Sequence, residues 1–168
     1  VRNLAGHLNP QFGSRPLVFD DDSGVMYFAK LSNQIPLEQI GMLGTFTLQF
    51  TCSDPFTYGI DERTESGDMV NHFGSHIAQP EITITKEAGA GKYVITHTDN
   101  TFEMVEFTAD SPSGVYVINS KEKTATIEGR AAYEFVLGDF PSLFTGNNII
   151  TTSGSVTGGV IKFRDTWL

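Results

Sequence analysis

Beyond residue 77, apolar residues return in short alternating runs about every ten residues, and each run is closed by turn-forming residues. The runs cover residues 81–86, 93–98, 102–108, 115–119, 124–128, 132–137, 148–152 and 156–164, with Ile82 and Ile84 facing inward in the first. Between them stand turn sequences such as Ala88-Gly89-Ala90-Gly91, Thr98-Asp99-Asn100, Ser111-Pro112-Ser113-Gly114 and Gly138-Asp139. A period of two places alternate side chains on opposite faces of a strand, and many short strands with regular turn chemistry predict a β-sandwich, with a barrel as the alternative. No stretch after Pro10 keeps helical periodicity for three turns, and no repeat of fixed length is present.

The first third of the chain has its own pattern. Val1, Leu4, Ala5 and Leu8 stand at helical spacing before Asn9-Pro10, which predicts one short amphipathic helix stopped at the proline. Strands are expected over 16–19, 25–31, 37–40 and 44–52; in the last, Phe46, Leu48 and Phe50 alternate with Thr45, Thr47, Gln49 and Thr51. From Asp54 to Ala78 the alternation gives way to Pro, Gly, Ser and charges. The reading is an all-β chain, mainly β with one short N-terminal helix. Residues 1–56 form the latter part of one β domain, 57–76 a linker or crossing, and 77–168 a complete β-sandwich. A start at Val1, with a helical pattern already under way, suggests that residues upstream have been removed. The first sheet should then be covered by upstream residues or by a neighbouring subunit, because open edges invite pairing with other chains.

Charge narrows the function. Lys and Arg number 11 against 20 Asp and Glu, a formal −9 over 168 residues, which disfavours a binder of nucleic-acid phosphates or of anionic membranes. No apolar run approaches the roughly 18 residues needed to span a bilayer, and the first residues lack the layout of a signal peptide. The single cysteine, Cys52, cannot pair within the chain and reads as a small buried residue. Aromatic content is dominated by 13 Phe, with 5 Tyr and 1 Trp at position 167, a balance suited to packing and protein contact.

The candidate chemical constellations are weak. Asp20-Asp21-Asp22-Ser23-Gly24 lacks the alternate ligand spacing of a calcium loop and reads as a hairpin turn, with Gly24 at positive φ. His72 and His76 are four apart but separated by Gly74 and Ser75, so they read as solvated loop histidines, not zinc ligands. His97 alternates with Tyr93 and Ile95 and reads as a core-edge histidine. Glu103 and Glu106 fall on opposite faces of a strand, which makes them a poor pair for a two-carboxylate glycosidase site, while carboxylates from different strands could still converge. Neither a nucleophile elbow nor a phosphate-binding loop is present. The reading is a non-enzymatic chain without a cofactor or metal; a carbohydrate-binding module for cell-wall polymers is the alternative.

Two stretches carry a family resemblance. One is Leu48-Gln49-Phe50-Thr51-Cys52-Ser53-Asp54-Pro55-Phe56-Thr57-Tyr58, in which Cys52, Asp54, Pro55 and Phe56 form the motif. The other is Gly138-Asp139-Phe140-Pro141-Ser142-Leu143-Phe144-Thr145-Gly146-Asn147-Asn148-Ile149-Ile150, with Phe140, Pro141, Leu143, Gly146 and Asn148 as its markers. With the opening helix and the strand Arg15-Pro16-Leu17-Val18-Phe19-Asp20, their order resembles the distal tail protein (Dit) of long-tailed, non-contractile bacteriophages.

The resemblance implies a ring-forming N-terminal β domain, hexameric in the full-length protein, followed by a galectin-like β-sandwich. It also implies a place at the virion tail tip, assembled in the bacterial cytoplasm and encoded by a phage or prophage. The implied partners are a tail-tube protein, a tail-tip protein and a receptor-binding protein; sugar binding is not carried over. Physical reasoning gives both motifs scaffold roles. Pro55 should end strand pairing, Cys52 and Phe56 should bury near the domain junction, and Asn148 should bond loop backbone so that Phe140 and Leu143 plug the sandwich. Asp20, Asp21, Asp22 and Glu38 are candidates to line the lumen of a ring and repel transiting DNA.

Overall fold

The computed structural model describes residues 11, 13–33 and 47–168. The expected helix, the strand over 37–40, the start of the strand over 44–52 and Glu38 lie outside the described residues. The chain divides into two compact units, one of Val1–Ile60 with Leu168 and one of Asp61–Trp167.

The first unit contains the strands β1 (Arg15–Phe19), β2 (Asp22–Leu31) and β3 (Phe50–Gly59), antiparallel in sequence order. The β1–β2 turn is tighter than its sequence suggested. Phe19 pairs directly with Asp22, so Asp20 and Asp21 form the tip, and the extra residues are absorbed by a bulge before Tyr27. Gly24 is not among the glycines at positive φ; its carbonyl instead accepts the N–H of Ile60 at 3.2 Å.

Pro55 also behaves differently from the expectation. It does not end β3; the register against β2 slips between Tyr27↔Thr57 and Ala29↔Cys52, and the proline falls in that irregular stretch, where no ladder donor is required. Asp54 holds the bulge by accepting from the Phe56 N–H at 3.1 Å and from the Tyr58 hydroxyl at 2.7 Å. Burial and the Asp54 bond raise the Tyr58 pKa above the ordinary phenol value. Cys52 is exposed, contrary to the buried role expected of it, although its ladder partner Ala29 is buried; its neighbours Thr51 and Ser53 are exposed as well.

The expected crossing over 57–76 is largely strand. It holds the end of β3 and two short edge strands of the second unit, β4 (Arg63–Ser66) and β5 (Met69–His72). Both pair with the same long strand, β12; β4 is polar on both faces and β5 turns apolar Met69 outward and His72 inward, so neither shows the apolar alternation that marks a strand.

The second unit is built on two long strands. β6 (Glu81–Thr96) and β12 (Gly146–Phe163) pair antiparallel from Ile149↔Thr96 to Lys162↔Glu81. The segment read as the turn Ala88-Gly89-Ala90-Gly91 is a bend inside β6, opposite register slips around Val156 in β12. Gly154, at φ +65°, lies against the backbone of Ala90 and Gly91, where a side chain would collide. The bend changes face as well as direction. Ile82, Ile84 and Lys86 are buried before it, and Gly91, Tyr93, Ile95 and His97 after it, so an odd number of residues has been inserted.

Each half of the bent pair extends its own layer. Residues 91–96 of β6 pair with β7 (Phe102–Phe107), which pairs with β11 (Val136–Gly138), while β5 lies beyond β12. Residues 81–86 pair with β8 (Gly114–Asn119), followed by β9 (Thr124–Ile127) and β10 (Arg130–Ala131), with β4 beyond β12. The layers face one another across one core that joins Tyr93, Ile95, Val105 and Ile150 with Ile82, Ile84, Tyr116, Ile118 and Ile161. Phe107 and Tyr116 meet edge-on, their ring centroids 4.9 Å apart. The expected strand over 132–137 is mostly turn, and only Val136–Gly138 pairs. A final short strand, β13 (Thr166–Trp167), places Thr166 in a bridge with His76.

Lys86 occupies an inward position in this core and is 2% exposed. Its ammonium donates to the Glu87 carbonyl at 2.6 Å, the Ser111 hydroxyl at 2.8 Å and the Pro112 carbonyl at 3.3 Å. It lies over the rings of Phe107 and Tyr116 at 5.3 and 5.5 Å. The cation therefore ties the strand bend to the β7–β8 connection. Replacing it by methionine keeps the volume and strands three acceptors. Lys86→Met is expected to lower unfolding free energy by about 2–4 kcal/mol in urea titrations, whereas a change within 0.5 kcal/mol would remove the lock.

Candidate functional site

The loop between β11 and β12 is held by Asn148, which is fully buried. Its amide nitrogen donates to the carbonyls of Phe144 at 2.8 Å, Gly146 at 3.1 Å and Val70 at 3.4 Å. Its oxygen accepts the Phe144 N–H at 2.9 Å and lies 3.0 Å from His97 Nδ1. One side chain thus satisfies the backbone of a tight loop from inside, which a loop without ladder partners requires.

Gly146 allows the turn with φ of +92°. Leu143 is fully buried and exchanges two backbone bonds with Ala78, at 3.0 and 2.9 Å. The Pro141 carbonyl accepts from Ser120 Oγ at 2.6 Å, and Phe140 packs against the core beneath Lys123, 5.5 Å from its ring. His97, 3% exposed, stacks on Phe144 with centroids 3.9 Å apart. The structure brings Phe140, Pro141, Leu143, Gly146 and Asn148 together in one closed loop. Asp54, Pro55 and Phe56 cluster separately at the bulge of β3, and Asp20, Asp21 and Asp22 stand exposed at a hairpin tip.

A second buried polar group lay unread in the sequence. Arg63 donates through Nη1 to both Asp165 oxygens, at 3.1 and 2.9 Å, and through Nη2 to Glu65. Its guanidinium lies between the rings of Phe73 and Phe163, 4.6 and 4.9 Å from their centroids. Asp165 also accepts the Phe73 N–H at 2.8 Å. Beside it His72 is buried, not solvated as expected, and its Nε2 accepts the Thr166 N–H at 3.2 Å. The proton therefore sits on Nδ1. His76 is partly buried and its N–H bonds the Thr166 carbonyl, so the two histidines share a scaffold, not a ligand set.

These groups are equipped to hold backbone. All three protons of the Lys86 ammonium are engaged, leaving no lone pair to activate Ser111. Glu103 accepts the Ser142 N–H at 2.5 Å on the inner side of β7, while Glu106 pairs with Lys92 at 3.2 Å on the outer side. Among the described residues no cluster of three or more His, Cys, Asp or Glu is arranged to hold a metal ion.

Comparison with known proteins agrees with this architecture. The family described as siphovirus-type tail component, C-terminal domain, matches residues 74–167, more than half of the chain. The chain belongs to the siphophage distal tail protein family. A second family, the phage tail protein RIFT-related domain, matches residues 1–52. The crystal structure of Dit from phage SPP1, described as a paradigm of the hub adsorption apparatus in phages that infect Gram-positive hosts, is similar in fold. Its TM-score is 0.70 at 18% identity, over 99% of this chain and 70% of the SPP1 chain. The search of curated proteins found no match. As a member of the distal tail family the chain is a phage tail structural component.

Two outcomes check the locks. Asn148→Ala deletes the loop's internal partner and is expected to cost about 2–4 kcal/mol of stability by chemical denaturation, with residues 140–148 losing amide-exchange protection first. Burial, aided by Arg63 and His76 and opposed by Asp165, holds the His72 pKa below its ordinary value of 6.5. A depressed folded-state value gives stability that is present above pH 6.5 and lost as pH falls below it. The urea midpoint should drop between pH 7 and pH 5, and His72→Gln should flatten that drop.

Proposed function

We propose that this chain is part of a ring-shaped hub at the tail tip, joining the tail tube to tip components, with its β-sandwich as the scaffold for host-recognition parts. The single observation that carries this reading is the match of residues 74–167 to the siphovirus tail-component domain, on a fold whose buried polar groups serve to hold backbone. In this reading the first unit closes its sheet edges against neighbours around a cyclic axis, where each copy offers one surface to the next. Units 1–60 and 61–167 divide the work between ring and outward-facing galectin-like domain. The protein acts without catalysis.

Six chains at −9 each carry about −54 formal charges, which is costly if clustered and useful if directed. Asp20, Asp21 and Asp22 at the β1–β2 tip are proposed to face the lumen, with Glu38 a further candidate, so that passing DNA meets a repelling wall.

Electron microscopy of tails carrying the full-length protein tests both parts. A six-fold ring between tube and tip is the expected density, with the β1–β2 tips directed at the axis. A monomer absent from tails would overturn the hub, and a ring with all these acids on its outer rim would overturn the lumen role alone.

A further inference from the structure

The outer face of the layer formed by β11, β7, β6, β12 and β5 carries an apolar stripe that the core does not use. Strand register places Phe102 opposite Thr96, Thr96 opposite Ile149, and Ile149 opposite Met69, so these four side chains form one row across the sheet. Phe102, Ile149 and Met69 are 61%, 49% and 57% exposed. Two residues along, the next row on the same face holds Met104, Val94 and Thr151. Exposed Phe102, Ile149 and Met69, with half-buried Val94 and Met104 beside them, have the composition of an interface centre, since aromatic residues and Met are enriched there.

The stripe is bordered by negative charge. Asp68 precedes Met69, Asp99 lies in the turn before Phe102 and accepts from Thr101, and Asp139 bonds the backbone of Met104. All three are exposed. Lys92, the cation on this face among the described residues, is tied to Glu106 at 3.2 Å and adds no net charge. A two-fold contact with a second copy of this chain would bring the same acids against themselves, which is unfavourable across an interface, and the chain's formal −9 leaves few cations to frame the face from another copy. Thr96, Thr151 and the bordering carboxylates are the hydrogen-bonding groups here, beside an exposed centre of Phe102, Ile149 and Met69, so apolar contact outweighs what a polyhydroxylated sugar would use. The remaining complement is a protein surface with an apolar centre and a basic border.

We propose that this face docks another tail protein whose contact surface is apolar and framed by Lys and Arg. The proposal rests on the scaffold reading above and specifies which face of the sandwich serves it and what chemistry it selects.

Two probes read the face in place. Hydrogen peroxide converts exposed methionine to sulfoxide, and a carbodiimide joins carboxylates directly to neighbouring lysines. Comparing the isolated full-length protein with assembled tails, Met69 oxidation is expected to slow at least tenfold in tails. Carbodiimide should join Asp68, Asp99 or Asp139 to lysines of a different tail protein. The double variant Phe102→Ser with Ile149→Asn changes only exposed positions, so tails should still contain the chain while losing both signals. Tails that contain the chain with Met69 oxidised at the free rate, or carboxylates joined only to another copy, would overturn this proposal and leave the hub reading standing. Met69 shielded by added cell-wall polysaccharide on the isolated protein, and not by assembly into tails, would overturn it in favour of a sugar ligand. Absence of the chain from tails would overturn both.

Discussion

Backbone pairing between β6 and β12 is the constraint on which the second unit depends. Two long strands run antiparallel through a bend, so each half of the ladder recruits different neighbours and one hydrogen-bonded pair contributes to two facing layers. The bulge makes this work because it reverses which side of the strand looks inward. Without the inserted residue, Tyr93 and Ile95 would leave the core just as Ile82 and Ile84 enter it. The apolar core is therefore a consequence of the bend as much as of hydrophobicity.

Bending a sheet leaves backbone groups with no ladder partner, and the buried polar side chains stand where those groups are. Lys86 binds carbonyls beside the bend, Asn148 binds those of the 140–148 loop, and Asp165 with His72 binds the N–H groups of Phe73 and Thr166. Each is costly to bury alone; the bonds of Lys86, Asn148 and Asp165 offset that cost, while His72 is bonded through Nε2 only and its buried Nδ1 has no hydrogen-bond partner. This distribution suits a molecule that must keep one shape under assembly.

Much of this was legible from the sequence, and the misses have definite causes. Alternation located most strands of the second unit, and the Phe140–Asn148 motif identified a loop that the structure closes from within. Lys86 was missed although its position continues the parity of Ile82 and Ile84, because a lysine on that face reads as an interruption and not as a member of the core. Arg63 and Asp165 are 102 residues apart, and nothing local to either predicts their pairing. Pro55 was misread because a bulge provides a stretch that needs no ladder donor, and period-two reasoning assumes no bulge.

The sequence by itself determined that the chain is β, where most of its turns lie, and to which family its motifs point, since side-chain alternation and turn chemistry are local properties. Tertiary structure decided which strands are continuous through their glycines, which polar residues are buried, and which apolar residues remain outside. Those outcomes depend on partners far apart in the chain. A bend or bulge moves a residue from one face to the other without changing any residue around it.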